Sequence, residues 1–221
     1  MPKSLLVVLT ATLLLITTSV QASLHGFASS VATIAPTAPT AERPVLLWSE
    51  LAVIELPAVA PEEVWVRIDL NRRELALFQG ERRVLTFPYL AFGTAGANRI
   101  RLQGSSQTPI GDFRIDRINR QSRFELFFGI DYPTPEIAHE AWQNGVLSDQ
   151  DYHDYQQYRR QYGRSPAYTP LGGHIGIHGL GNRPVNFHQI RDWTEGCIAV
   201  TNTEIQMLER WLDVGTLVVI R

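Results

Sequence analysis

The sequence predicts a mainly β domain with α-helical insertions. Three observations carry that prediction. Residues 62–130 hold short runs in which apolar and polar side chains alternate, separated by turn residues. Helical spacing is confined to residues 135–162 and to the stretch after Val200. A β-branched run over residues 216–220 closes the chain.

The order of elements begins outside that domain. Lys3, an apolar run over residues 5–16 and the small-residue site Val20-Gln21-Ala22 have the form of a secretory signal peptide spanning residues 1–22. The run is short for a membrane span, so contact with a membrane is expected only if the signal stays uncleaved. Export places the mature chain in the periplasm or cell envelope. Residues 23–61 are rich in Ala, Ser, Thr and Pro and read as a tether, with apolar residues at 46–48 and 51–56 that suit a short docked segment. The domain proper is expected over residues 62–221. Its composition is that of an ordinary globular protein, 44% hydrophobic and 19% charged, and a net charge of −2 points to no nucleic-acid partner.

Within the domain, Val64, Val66, Ile68 and Leu70 share one face of a first strand. Residues 74–78 and 84–89 read as the next two, with turns at Asn71-Arg72 and Gln79-Gly80. Thr108-Pro109-Ile110-Gly111 sets a turn into a strand carrying Phe113 and Ile115, and residues 124–130 read as another strand. Residues 135–144 predict a short helix and 148–162 a longer one. Ser148 and Asp151 form a capping-box pattern there, and Gly163 is a stop. Tyr152, Tyr155 and Tyr162 fall on one face of that helix, which either packs on the sheet or forms a lid over a cleft. Thr201 with Glu204 repeats the capping box before a helix with Ile205, Leu208 and Leu212 on one face, and Gly215 ends it.

The chemistry lies between the two helical regions. Cys197 is the single cysteine, 19 positions after His178, which sits in an apolar strand-like run. Alone, such a cysteine is ordinarily a small buried hydrophobe and such a histidine a core residue. Here glycines flank both, Gly176 and Gly179 around His178 and Gly196 before Cys197. Thiol catalysis needs a base to take the thiol proton and backbone N–H groups that can approach an oxyanion, and glycine permits that approach. Exported proteins use cysteines in pairs, so an unpaired thiol is a liability unless it does chemistry.

His178-Gly179, a gap, then Thr194-Glu195-Gly196-Cys197-Ile198 resembles the active-site signature of the YkuD-type L,D-transpeptidases. Thr108-Pro109-Ile110-Gly111-Asp112-Phe113 and the meander over residues 64–89 resemble earlier blocks of the same family. Two positions depart from the pattern: Glu195 stands where the family usually has a second His, and Ala199 where it has Arg or Asn. The resemblance implies a YkuD-like β-sandwich with a helical insert and a helix following Cys197. It implies Cys197 as nucleophile, His178 as general base and acid, and the Gly179 carbonyl as the group that orients His178. The N–H groups of Gly196 and Cys197 would hold the oxyanion. It further implies an acyltransferase that needs no cofactor and acts on peptidoglycan tetrapeptide stems. The acceptor would be another stem or a wall-attached protein, and water as acceptor would make the same machinery an L,D-carboxypeptidase or hydrolase. Thr194 and Glu195 are candidate substrate contacts. Arg183 and Arg191 are candidates to supply the cation missing at Ala199.

Three rivals compete with this reading. A metal site would use His174 and His178 with His188 or Cys197, although zinc-type spacing is absent. A non-catalytic wall-binding module would have no use for both Cys197 and His178. A papain-like protease has its Cys before its His, the reverse of the order here.

Overall fold

Turn chemistry and alternation set the first three strands. In the computed structural model, which describes residues 57–221, β1 (Val64–Asp69) pairs antiparallel with β2 (Glu74–Gln79), and β2 with β3 (Arg82–Pro88). The expected signal peptide, most of the expected tether and the apolar residues 46–48 and 51–56 lie outside the described residues. The turn expected at Thr108-Pro109-Ile110-Gly111 begins with a short strand before the long one. β5 (Thr108–Pro109) pairs with β4 (Ala97–Asn98), and Gly111 then starts the long β6 (Gly111–Ser122). β7 (Glu125–Ile130) returns antiparallel along β6. β8 (Gly176–His178), β9 (Ile198–Ala199) and β10 (Leu217–Ile220) complete the sheet.

A continuous ladder joins eight of these strands in the order β3-β2-β1-β10-β6-β7-β8-β9. Ala91, just past β3 at one end, bridges to Ala199 of β9 at the other, so the ladder curls back on its own start. Val66, Ile68, Leu75 and Leu77 from one half share a buried cluster with Phe128, Ile177 and Ile198 from the other. The halves thus face each other across one core, as in a sandwich. β6 runs through both, and its register shifts between Ile115 and Arg117, where a bulge lets the strand bend.

Among the described residues, four helices decorate this frame. α1 (Pro135–Gln143) starts at Thr134, whose hydroxyl accepts from the Ile137 N–H, and buries Ile137, Ala138 and Ala141. α2 (Asp149–Tyr162) carries the Ser148/Asp151 capping box and stops at Gly163 in the left-handed conformation. Its tyrosine face does not behave as one unit. Tyr155 is buried and donates to the Pro133 carbonyl at 2.9 Å, whereas Tyr162 is exposed and packs on Tyr158, because the last turn runs beyond the core. α3 (Val185–Ile190) lies within a stretch that reads as loop in the sequence; Pro184 begins it without a side-chain cap. α4 (Asn202–Glu209) has the Thr201/Glu204 capping box and packs Ile205 and Leu208 inward. A cap of this kind contributes about 1 kcal/mol.

Candidate active site

β8 and β9 are short parallel neighbours in which Ile177 faces Ile198 and His178 faces Ala199. Extending that register one residue back sets Cys197 opposite Gly176. Side chains two apart on a strand share a face, so Gly176, His178 and Cys197 lie on one side of the sheet. Gly176 leaves room there: a Cβ would strike the Phe127 ring and the Phe128 carbonyl. His178 and Cys197 both line a cleft of about 950 Å³.

Polar clamps fix the two segments that carry them. Asn202, the first residue of α4, accepts from the N–H groups of Leu180 and Gly181 and donates to the Gly181 carbonyl, which holds the turn after His178. Asp192 takes both guanidinium nitrogens of Arg73 at 2.8 and 2.6 Å and the Phe92 N–H at 3.1 Å, which anchors the loop leading to Cys197. Gly196 adopts φ +128°, and a Cβ there would run into the Gln107 carbonyl, so only glycine suits the residue before the sulfur. Asn202 and Asp192 carried no signal in the sequence, since their partners are distant in the chain.

The imidazole of His178 is enclosed. Phe124 stacks on it at 4.3 Å, Trp193 meets it edge-on at 5.7 Å, and Phe127 lies beyond at 6.4 Å. Its Nδ1 is 2.7 Å from the Gly179 carbonyl. A carbonyl can only accept, so Nδ1 carries the proton and Nε2 is left as the basic nitrogen. Burial pushes the His178 pKa down to about 4, against the Gly179 hydrogen bond, and the charges of Arg123, His188 and Arg183 lower it further.

Cys197 is half-buried, and its sulfur donates to the His174 carbonyl at 3.5 Å. Burial pushes the thiol up to about 11; a backbone hydrogen bond from Gly176 and the charges of Arg101 and Arg117 oppose it, and Glu195 adds a further push upward. The resting pair is therefore a neutral thiol and a neutral imidazole. α4 does not overturn this. Its capping box engages the N–H groups of Thr201 and Glu204, and four residues, 198–201, separate its first residue from Cys197.

Several residues singled out in the sequence stand elsewhere than expected. Thr194 is buried with its hydroxyl fully engaged, donating to the Cys197 carbonyl at 2.6 Å and accepting from the Gly196 N–H at 3.2 Å. It lines the cleft while its hydroxyl is used to shape the loop. That contact also turns the Gly196 N–H into the loop, which corrects its expected place as an oxyanion donor. Arg191 lies outside the cleft, over the Phe187 ring at 5.0 Å. Arg183 lines the cleft but rests on Trp193 at 4.2 Å. Glu195 is exposed and lines the cleft. The insert over residues 131–170, which could pack on the sheet or form a lid, divides between the two: α1 and α2 give the cleft none of its lining, whereas Ala167 and Tyr168 at its end line the cleft. Ile137, Ala138 and Ala141 of α1 and Tyr155 of α2 are used in the core. For the rival metal site, His174 has φ +54°, which breaks the strand alternation it needs, and among the described residues no three His, Cys, Asp or Glu side chains group as ligands.

The sequence reading missed Arg101. It is 4% exposed, lies in the cleft wall, and its charge reaches both Cys197 and Glu195.

A sequence model of the L,D-transpeptidase catalytic domain, YkuD, matches residues 63–220. This chain belongs to that family. No curated protein matches it. Among solved structures, Bd1075 of Bdellovibrio bacteriovorus is similar at 17% identity and a TM-score of 0.45, over 76% of this chain and 50% of that one. The helical cell shape determining protein Pgp2 of Campylobacter jejuni is similar at 18% identity and a TM-score of 0.47, over 72% and 47%. An Enterococcus faecium L,D-transpeptidase variant is similar at 12% identity and a TM-score of 0.41, over 72% and 50%. The chain spans about half the length of these structures.

Proposed function

We propose that this YkuD-family chain catalyses cysteine-dependent acyl transfer on peptidoglycan stem peptides in the cell envelope. The observation that carries the reading is the shared face of β8 and β9, which presents Cys197 and His178 to one cleft, with Nδ1 of His178 already bound to Gly179. In acylation, the Cys197 thiol gives its proton to His178 Nε2 and its sulfur bonds the carbonyl carbon of the third stem residue. The amine of the terminal D-residue leaves with that proton, and a thioester remains. In deacylation an acceptor amine gives a proton to His178 and attacks the thioester, and the thiol is restored. Gly179 keeps the imidazole in the required tautomer. The neutral resting pair means the proton moves during attack, with no preformed ion pair.

Water as acceptor gives an L,D-carboxypeptidase on the same residues. Mass spectrometry of purified tetrapeptide muropeptides after incubation separates the outcomes. Cross-linked dimers with released D-residue identify transpeptidation, tripeptides identify hydrolysis, and unchanged substrate overturns the reading. Export is tested separately: N-terminal sequencing of envelope material should begin at Ser23, and a chain still beginning at Met1 would indicate a retained anchor.

A further inference from the structure

We infer that Arg101 and Arg117 form the subsite for the free α-carboxylate at the C-terminal end of the donor peptide, beside Cys197. The inference rests on the acyl-transfer reading above and names what holds the leaving residue. Arg101 is almost fully enclosed, yet its Nε has no hydrogen-bond partner. Its Nη2 donates only to the neighbouring Leu102 carbonyl at 3.2 Å. Arg117 leaves Nη2 buried without a partner, although Nη1 is held by Asp116 at 2.8 and 3.1 Å. A buried donor without a partner is costly, on the order of 1–3 kcal/mol and more for a charged group, so two of them in one cleft wall mark a place where an acceptor is missing.

Both groups are held in place before anything binds. The Tyr132 hydroxyl accepts from the Arg101 N–H and donates to the Arg101 carbonyl, each at 3.0 Å. The Gln103 N–H donates to the Pro170 carbonyl at 2.9 Å, which ties the Arg101 loop to the neighbouring segment before His174. Arg117 sits at the β6 bulge with its guanidinium over the Phe127 ring at 5.4 Å. A guanidinium held this way loses little freedom on binding, and its planar fork suits a carboxylate. The cleft's other arginines, Arg123 and Arg183, differ in being exposed, so that water can satisfy their donors. In an L,D-cut tetrapeptide, the terminal carboxylate lies one residue past the carbonyl that Cys197 attacks. A cation beside the sulfur is therefore in reach of it, and Ala199 supplies none. Glu195 is the competing anion, within reach of Arg101.

The test compares, on the full chain, a tetrapeptide stem with the same peptide bearing a C-terminal carboxamide. The wild type should favour the free acid by about 10–100-fold in kcat/KM, the range for hydrogen bonds to a charged group. Arg101→Gln and Arg117→Gln should each remove most of that preference through KM for the acid, whereas any loss shared equally by acid and amide reports only the weaker positive charge at Cys197. Glu195→Gln should lower KM for the acid. Equal turnover of acid and amide by the wild type overturns the inference and leaves the acyl-transfer reading standing. Retention of the preference in folded Arg117→Gln protein also overturns the pair, and this variant decides the matter if Arg101→Gln fails to fold. No turnover of either peptide, with no covalent adduct on Cys197, overturns the acyl-transfer reading and this inference with it.

Discussion

The two walls of the cleft solve opposite electrostatic problems within one cavity. Around His178 the wall is aromatic and dry, and the arginines nearby, Arg123 and Arg183, spend their charge on ring faces. Around Cys197 the wall is cationic, with guanidinium groups left unsatisfied. The aromatic wall keeps the proposed base neutral and available at low pH. The cationic wall offsets part of the desolvation that otherwise holds the thiol protonated. What the contrast teaches is that burial alone does not activate a thiol. It lowers the histidine and raises the cysteine together, so reactivity has to come from charge that is present only on one side, or from the substrate.

The sharpest way to break this comparison is to remove the atom on which both walls converge. Cys197→Ala should abolish turnover, while the melting temperature stays close to that of the wild type. Residual turnover would mean that another nucleophile operates. Removing the aromatic wall's contribution comes next. His178→Ala should slow acylation by about 10²–10⁴-fold, the range for loss of a positioned base. If His174→Ala proved the more damaging change, the base would have been misassigned.

A pH series sharpens the comparison further. With the His178 pKa at about 4, the acid limb of kcat/KM should lie near pH 4 and not near the ordinary histidine value. Phe124→Ala, which wets the ring, should move that limb upward by about one pH unit. An acid limb near 6.5 in the wild type would show that the ring is solvated. The same shift has a stability consequence. The unfolded chain protonates this histidine first as pH falls, so the stability it carries is complete above about 6.5 and is lost as pH drops toward 4. His178→Asn should flatten that part of the melting-temperature profile.

The smallest expected effects test the cationic wall. Arg101→Gln should raise the pH midpoint for iodoacetamide alkylation of Cys197, and Glu195→Gln should lower it by less, because Glu195 is exposed and water screens it. Shifts of the same sign in both variants would remove the electrostatic contrast between the walls.

Much was legible without coordinates. Period-two alternation marks β1, β2 and β7, and the two capping boxes mark the starts of α2 and α4, because strand faces and helix caps are decided by residues a few positions apart. The Gly-flanked pairing of His178 with Cys197 was likewise visible, along with the family to which the chain belongs. Other features were decided only when distant segments met. Arg101 is not singled out by any sequence pattern, and it is buried where Tyr132 grips its backbone from 31 positions away. Thr194 and Gly196 read as a substrate contact and an oxyanion donor, yet their hydrogen bonds close within the loop, and α3 forms without a capping signal. Spacing along the chain carries periodicity and local capping. Which polar groups are left unsatisfied around the sulfur depends on long-range packing, and only the tertiary structure sets it.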